Sequence, residues 1–163
     1  MIERWPEPVE RVAAFVREHG AEARIEEFTT STPTAEDAAK AVGCRLDQIA
    51  KSVVFDCDGR PILALVPGDR RADPLKVARA ASCERARVAG PDRVREVTGF
   101  EPGAVSPFPL PQVERVFIDP RLVRHEHVWI GAGSPSHLAV LPPAELVRLS
   151  RAETADVSEE PPL

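Results

Sequence analysis

Residues 51–66 read KSVVFDCDGRPILALV. Two apolar runs, 53–55 and 61–66, lie on either side of Asp58-Gly59, a pair that is typical of tight turns. This arrangement predicts a β-hairpin, and both of its strands are apolar enough to be buried. We therefore expect the hairpin to lie in the core, with helices packed beside it.

Start and stop signals predict helices on both sides of this hairpin. One begins at Pro6 or Pro8 and ends at Gly20, and a second is capped by Thr34 and ends at Gly43. Further helices are predicted over 74–82, 91–99 and 143–149, and further strands over 23–28, 113–118, 127–130 and 138–141. Because strands and helices do not alternate strictly, the order predicts an α+β fold: a mixed, largely antiparallel curved sheet, barrel-like, with helices packed around it.

The length of 163 residues fits a single domain spanning 1–163. We expect its core to cover about 25–150 and its tail, 152–163, to be loosely held. The hydrophobic share of 43% and the charged share of 29% are those of a globular chain, and no apolar run is long enough to span a bilayer. The acidic start of the chain is unlike a signal peptide, which predicts a cytoplasmic protein with no membrane partner.

The cysteines and histidines do not form a recognisable metal site. Cys44, Cys57 and Cys83 are odd in number and contain no C-x-x-C pair, so the sequence predicts free thiols rather than disulfides. His125 and His127 share one face of a predicted strand, and no third ligand is evident beside them. The serine-elbow, phosphate-loop and zinc-helix motifs are missing from the sequence as well. We therefore expect neither a metal nor a cofactor.

The positive charge is concentrated in the middle of the chain. Residues 60–95 carry 9 basic and 4 acidic side chains, whereas the whole chain has a net charge of −5. A local basic surface on an acidic protein can dock a phosphate backbone. The alternative is that these arginines only cover the surfaces of helices.

Lysine is rare enough here to mark positions of interest. Lys40, Lys51 and Lys76 are the three lysines among 21 basic residues, and the others are arginine. Lys51 stands at the head of the first hairpin strand, where its ammonium could point into a pocket. A solvated lysine beside a strand is the alternative interpretation.

Two glycine-containing segments could approach a ligand closely. In Gly99-Phe100-Glu101-Pro102-Gly103, backbone N–H groups exposed by the turn could bind an ester carbonyl or an oxyanion. In the segment 131–137, GAGSPSH, small residues could form a pocket wall. The alternatives are a helix C-cap followed by a turn for the first segment and an ordinary hairpin turn for the second.

Taken together, these segments resemble the YbaK-like proteins and the related inserted editing domain of bacterial prolyl-tRNA synthetases, which hydrolyse mischarged aminoacyl-tRNA. The resemblance covers about residues 25–150 and rests on the order of its segments. These are the helix that starts TAEDAA at 34–39, IAKSVVF at 49–55, LVPG at 65–68, GFEPG at 99–103 and GAGSP at 131–135.

The resemblance implies a free-standing deacylase that removes a small wrong amino acid, such as Ser, Thr, Ala or Cys, from tRNA(Pro). Such a second sieve is needed because a binding pocket rejects close analogues by only about 10–200-fold. The implied partner is the acceptor end of tRNA, with prolyl-tRNA synthetase as a further candidate.

The resemblance also suggests roles for particular residues. Lys51 would engage the terminal nucleotide or the aminoacyl group, and Gly99, Pro102 and Gly103 would clamp the substrate through the backbone. The candidate substrate-binding residues are Thr30, Thr32, Ser106, Gly131, Gly133, Ser134 and His137, and the candidate tRNA-binding residues are Arg70, Arg71, Lys76 and Arg79. Water or the ribose hydroxyl of the substrate would supply the nucleophile or base, since no catalytic triad is visible.

Two other classes of function remain open on the residues alone. The chain could be a non-catalytic tRNA-binding or nucleotide-binding module on the same fold. It could also be a small-molecule-binding domain that shares only the scaffold, because a fold does not fix a function.

Overall fold

The computed structural model describes residues 5–161. Over that range the chain forms five helices and eight strands. In order they are α1 (Glu7–Glu18), β1 (Arg24–Glu27), α2 (Ala35–Val42), β2 (Ala50–Cys57), β3 (Arg60–Pro67), α3 (Pro74–Ala81), β4 (Ala86–Val88), α4 (Pro91–Thr98), β5 (Arg115–Ile118), β6 (Val128–Ser134), β7 (His137–Leu141), α5 (Pro143–Ser150) and β8 (Glu153–Thr154).

The predicted hairpin lies at the centre of a five-stranded sheet. β2 and β3 pair antiparallel along their whole length, from Ala50 opposite Pro67 to Cys57 opposite Arg60. The strand order is β4-β2-β3-β5-β8, in which β4 is antiparallel to β2, and β5 and β8 continue in parallel pairing from β3. The apolar strand β3 is therefore covered on both sides by neighbouring strands.

A second sheet of three antiparallel strands, in the order β1-β7-β6, completes the β structure of the described chain. A parallel bridge between Ile49 and Trp129 links it to the start of the hairpin. The sheets do not close into a barrel over residues 5–161. The prediction of a mixed, largely antiparallel α+β fold is confirmed.

The helices pack on both faces of the five-stranded sheet. α1 packs with Val12 and Val16 into a core that fills the space between the two sheets, where Leu63 and Ile130 are fully covered. α3 packs on the opposite face through Val77, Ala78 and Ala81. The residues of β3 alternate between these two layers, with Leu63 and Leu65 in the first and Ile62 and Ala64 in the second, because neighbouring residues of a strand point to opposite faces.

The predicted helix signals act as expected. The Thr34 hydroxyl accepts the Asp37 N–H at 3.1 Å and caps α2, which ends at Gly43 in the left-handed region. The Asp73 carboxylate accepts the Leu75 N–H at 2.9 Å and caps α3. The first turn of α2 and the first residues of β2 line the same cavity.

The tail is held more firmly than the sequence predicts. Within 152–163, of which the last two residues lie outside the described range, residues 153–160 pack across α3 and β5, and we name them the C-terminal strap. Val157 is completely buried, and burying a valine side chain contributes about 1.5–3 kcal/mol. The prediction of a loose tail is therefore wrong for the strap.

The prediction of free thiols is also wrong for two of the three cysteines. Cys57, the last residue of β2, is joined to Cys83 in a disulfide with a Cα–Cα distance of 5.8 Å, while Cys44 is free. The two cysteines are 26 residues apart in the sequence, so their spacing did not indicate a pair. The pairing of β4 with β2 brings them together.

Candidate active site

A cavity of about 320 Å³ opens at the head of the hairpin. Its walls come from the first turn of α2 with the loop before it, the first residues of β2, the turn after α4, and β6. The volume lies at the lower end of the range for small-ligand sites, about 300–1,000 Å³. The polar side chains that line it belong to Thr32, Thr34, Glu36, Lys51 and Ser52.

Lys51 reaches the cavity from the second residue of β2. Its ammonium donates a hydrogen bond to the backbone carbonyl of Arg70, in the loop that follows β3. Burial lowers the pKa of this lysine, while the more distant carboxylates of Glu36 and Asp69 act in the opposite direction. Within the described residues no carboxylate lies within ion-pair distance of it, so the ammonium keeps donors for a ligand.

Ser52 is a lining residue that the sequence analysis missed. Its hydroxyl oxygen is buried and has no hydrogen-bond partner among the described residues. An unpaired buried hydroxyl costs free energy, which a ligand with a donor or an acceptor can recover. The available signal was a lone hydroxyl side chain between Lys51 and the apolar run that starts at Val53.

One glycine from each predicted segment lines the cavity. Gly103 has a φ of +84°, a conformation that favours glycine, and a Cβ there would lie 3.5 Å from the Pro33 carbonyl oxygen. Gly131, on β6, approaches the backbone of Val105 so closely that a Cβ would lie 2.6 Å from the Val105 carbonyl oxygen. The cavity therefore brings together Lys51, Gly103, Gly131 and Thr32 of the predicted site.

Gly99 and Pro102, the other two residues of the predicted clamp, do not line the cavity. Gly99 ends α4 in the left-handed region, and its carbonyl accepts a hydrogen bond of 2.6 Å from Arg11. Pro102 is exposed in the turn that follows. The Ala104 N–H donates back to Glu101, which removes one amide from the predicted oxyanion clamp. Of that clamp, only Gly103 faces the cavity.

Several predicted substrate-binding residues have structural partners instead. Gly133 packs against the start of α1, where a Cβ would lie 2.7 Å from the Pro8 carbonyl oxygen. The Ser106 hydroxyl is buried and donates to the Phe108 carbonyl at 2.8 Å. Thr30 is exposed in the loop before α2 and does not line the cavity. These three positions do not join the site in the described chain.

Ser134 and His137 form a separate polar pair at the turn between β6 and β7. The Ser134 hydroxyl is hydrogen-bonded to Nδ1 of His137, and the imidazole packs edge-on against Trp5. Burial lowers the pKa of His137, although Glu27 opposes the shift. Thr32, which does line the cavity, donates its hydroxyl to the Pro135 carbonyl at 2.8 Å and so ties the cavity wall to this turn.

The predicted tRNA-binding residues fall into two groups. Arg70 and Arg71 lie in the loop that receives Lys51, and Arg79 is exposed on α3. One guanidinium nitrogen of Arg70 is buried without a partner among the described residues. The ammonium of Lys76 donates to Asp156, to the Ser158 carbonyl and to Glu160, so all three of its donors are occupied. These contacts, at 2.9, 2.7 and 3.0 Å, bind the Lys76 ammonium to the C-terminal strap.

Residues 5–161 lack two further features. No group of three or more His, Cys, Asp or Glu side chains is placed to hold a metal ion. No helix in this range has the length and apolar character needed to cross a membrane.

The fold is that of a recognised class. Residues 29–149 match the family described as the aminoacyl-tRNA editing domain, and the chain belongs to this family. The family resemblance predicted from the sequence is therefore confirmed.

The chain is similar to both a free-standing protein and a part of a larger ligase. The uncharacterized protein YwhH of Bacillus subtilis is 37% identical over 127 residues, which cover 77% of this chain and 80% of that protein. The proline–tRNA ligase of Maridesulfovibrio salexigens is 32% identical over 111 residues, 68% of this chain but 19% of the ligase. The chain therefore spans about a fifth of the ligase length.

Among solved structures, a candidate trans-editing enzyme for prolyl tRNA synthetase superposes with a TM-score of 0.89 at 34% identity. The superposition covers 96% of this chain and 100% of that one.

Proposed function

We propose that this protein hydrolyses the ester bond of a mischarged aminoacyl-tRNA, and that the cavity beside Lys51 receives the terminal aminoacyl-adenosine. The observation that carries the proposal is the placement of the Lys51 ammonium and the Gly103 turn on one cavity, in a chain of the editing family. The likeness to a candidate trans-editing enzyme supports action as a separate protein on tRNA charged by a synthetase.

We infer a mechanism without a protein nucleophile. Its ionisable lining side chains, within the described chain, are Lys51 and Glu36. Water adds to the ester carbonyl, and the bond between the carbonyl carbon and the ribose oxygen then breaks. That oxygen takes up a proton, so that free amino acid and uncharged tRNA leave. Lys51 orients the substrate and stabilises the developing negative charge, and the ribose hydroxyl assists the water.

The dimensions and lining of the cavity favour a small amino acid. Gly131 and Gly103 bring the backbone close, and there is no room for a Cβ between Gly131 and Val105. Of the lining hydroxyls, those of Thr32 and Thr34 are committed to Pro135 and Asp37, while that of Ser52 is unpaired. We infer that Ser52 contacts the aminoacyl group, and that the substrates are tRNA(Pro) species carrying Ser, Thr, Ala or Cys.

The acceptor stem docks on the basic loop beside the cavity. Arg70 and Arg71 lie in the loop that follows β3, and Arg79 lies on the next helix, α3. The unpaired guanidinium nitrogen of Arg70 can be satisfied by a phosphate oxygen. Such contacts position the strand without reading its sequence.

The test is a deacylation assay on tRNA(Pro) charged with Ala, Ser, Thr, Cys or Pro. We expect the wild-type protein to release at least one wrong amino acid well above the rate in buffer and to spare prolyl-tRNA. Binding of tRNA with a steep salt dependence but no turnover would instead identify a non-catalytic module. No acceleration on any of the wrong species would refute the proposal.

A further inference from the structure

The position of Lys51 depends on a loop that the C-terminal strap holds in place. The ammonium has one protein hydrogen-bond acceptor within the described chain, the carbonyl of Arg70. A lysine side chain has high rotamer entropy, so an ammonium with a single acceptor is only as well placed as that acceptor. The geometry of residues 68–73 therefore decides where Lys51 points.

The strap is bound to this loop through the backbone. The Glu159 N–H donates to the Arg71 carbonyl at 2.8 Å, and the Asp73 N–H donates to the Val157 carbonyl at 2.8 Å. Between these two bonds, Ala72 and Ser158 form a β-bridge. The residue that follows Arg70 is thus fixed by the strap.

The strap is in turn anchored to the rest of the molecule. Val157 fills the core beneath α3, and the Ser158 hydroxyl donates at 2.6 Å to the fully buried carboxylate of Asp119. Lys76 binds two strap carboxylates and a strap carbonyl. These contacts fix the strap against the rest of the molecule, so that it can support the loop.

We propose that the C-terminal strap is a positioning element for Lys51, acting through the bond between the Glu159 N–H and the Arg71 carbonyl. The inference rests on the proposed function for its catalytic consequence. The strap lies beyond residues 29–149, the part of the chain that the editing-family match covers. It supplements the site from outside that region.

The decisive variant is Glu159→Pro, with Glu159→Ala as its matched control. Both remove the same exposed carboxylate, but only proline removes the N–H that bonds to Arg71. Ser158 is extended in its bridge, a conformation that proline tolerates in the preceding residue. We expect Glu159→Pro to lower kcat/KM for mischarged tRNA about fivefold, the factor that corresponds to one typical hydrogen bond, and Glu159→Ala to match wild type.

A second readout does not require turnover. With three lysines in the chain, the ¹³Cε signals of a labelled protein can be assigned by substitution and titrated. The charged groups that face Lys51 are Glu36 from α2 and Asp69 and Arg71 from the loop. Release of the loop should hydrate the ammonium, so the Lys51 pKa should rise in Glu159→Pro and stay at the wild-type value in Glu159→Ala.

The outcomes separate the strap from the proposed function. If the wild-type protein deacylates no mischarged tRNA, the proposed function fails, and the lysine titration still decides the role of the strap. Ser158→Ala, which loosens the anchor on Asp119, should move the Lys51 pKa in the same direction by a smaller amount. Identical Lys51 pKa values in wild type and in both the Glu159→Pro and Ser158→Ala variants would overturn the inference.

Discussion

Lys51 bonds to the loop that follows β3, whereas Lys76 bonds to the C-terminal strap that holds this loop, and the two ammonium groups differ in their partners. The Lys76 side chain, 18% exposed, meets two carboxylates and a carbonyl. Lys51 meets one carbonyl and borders a cavity. A cation whose donors are all used within the chain supports the fold, whereas a cation with donors to spare beside a cavity can bind a ligand.

The pKa values of the two ammonium groups reflect this contrast. The hydrogen bonds that the Lys76 ammonium donates to the carboxylates of Asp156 and Glu160 raise its pKa, while burial lowers the pKa of Lys51. Two strap carboxylates therefore pair with Lys76, whereas the cavity lysine, Lys51, has no ion pair in the described structure. The comparison teaches that partner count, rather than residue type, distinguishes a site lysine from a structural one.

The largest expected effect comes from replacing each of these two lysines by alanine in turn. Lys51→Ala should lower the deacylation rate about 100-fold, as does loss of a donor to a developing oxyanion, with little change in Tm. Lys76→Ala should lower Tm by several degrees and the rate by a much smaller factor. Lys40→Ala, on the exposed face of α2, serves as the control for both measurements. Equal rate losses in the Lys51 and Lys76 variants would break the comparison.

The second effect tests the wall opposite Lys51. Gly131→Ala places a methyl group against the Val105 carbonyl oxygen, so the strand must shift at a cost of about 1–3 kcal/mol. We expect thermal unfolding to show this loss and KM to rise because the cavity narrows. Gly90→Ala, where a Cβ meets nothing within 4 Å, should be milder in both respects. Unchanged KM and Tm in Gly131→Ala would contradict this prediction and indicate that the substrate binds at a different place.

The third effect concerns the arginines on the cavity side of the loop. The double variant Arg70→Ala/Arg71→Ala keeps the backbone acceptor for Lys51 but removes two phosphate contacts. It should weaken tRNA binding at low salt and flatten the salt dependence by about two units of slope. Hydrolysis of a short aminoacyl-nucleotide should remain nearly intact. Arg87→Ala, at the far end of the hairpin, is the control, and an equal loss in that variant would argue against docking on the loop.

The smallest effect is a pH dependence on the strap side. The hydrogen bond from Lys76 holds the pKa of Asp156 below its ordinary value. Because the folded-state pKa is lowered, this contribution to stability is present above the unfolded-state value of about 3.9 and is lost as the pH falls through the folded-state pKa. Asp156→Asn should therefore lower Tm at neutral pH, and the difference from wild type should disappear in acid. A constant difference in Tm across that range would refute the assignment.

Local signals in the sequence predicted most of the fold. Thr34, Gly43 and Asp73 act at the helix ends assigned to them, because capping depends on neighbours only a few residues away. The short edge strands β4 and β8 escaped prediction, since strands of three and two residues carry too few side chains to show an alternating pattern. The fixed strap escaped as well, because its partners Lys76 and Asp119 are distant in sequence.

The site was predictable only in part, for a related reason. Glycine indicates a positive φ or a close approach, but the sequence does not show which neighbour approaches. Gly103 and Gly131 therefore proved to face the cavity, whereas Gly99 and Gly133 face Arg11 and Pro8. Ser52 was missed because burial and the lack of a partner are properties of the folded chain.

The most direct test of the central claim is to titrate the ¹³Cε-lysine-labelled protein with a non-hydrolysable aminoacyl-adenosine amide. Saturable binding should move the Lys51 signal, which is assigned by its loss in Lys51→Ala, and should leave those of Lys40 and Lys76 in place. Binding of the amide with an unmoved Lys51 signal would contradict the account, because the aminoacyl end would then occupy a different part of the molecule.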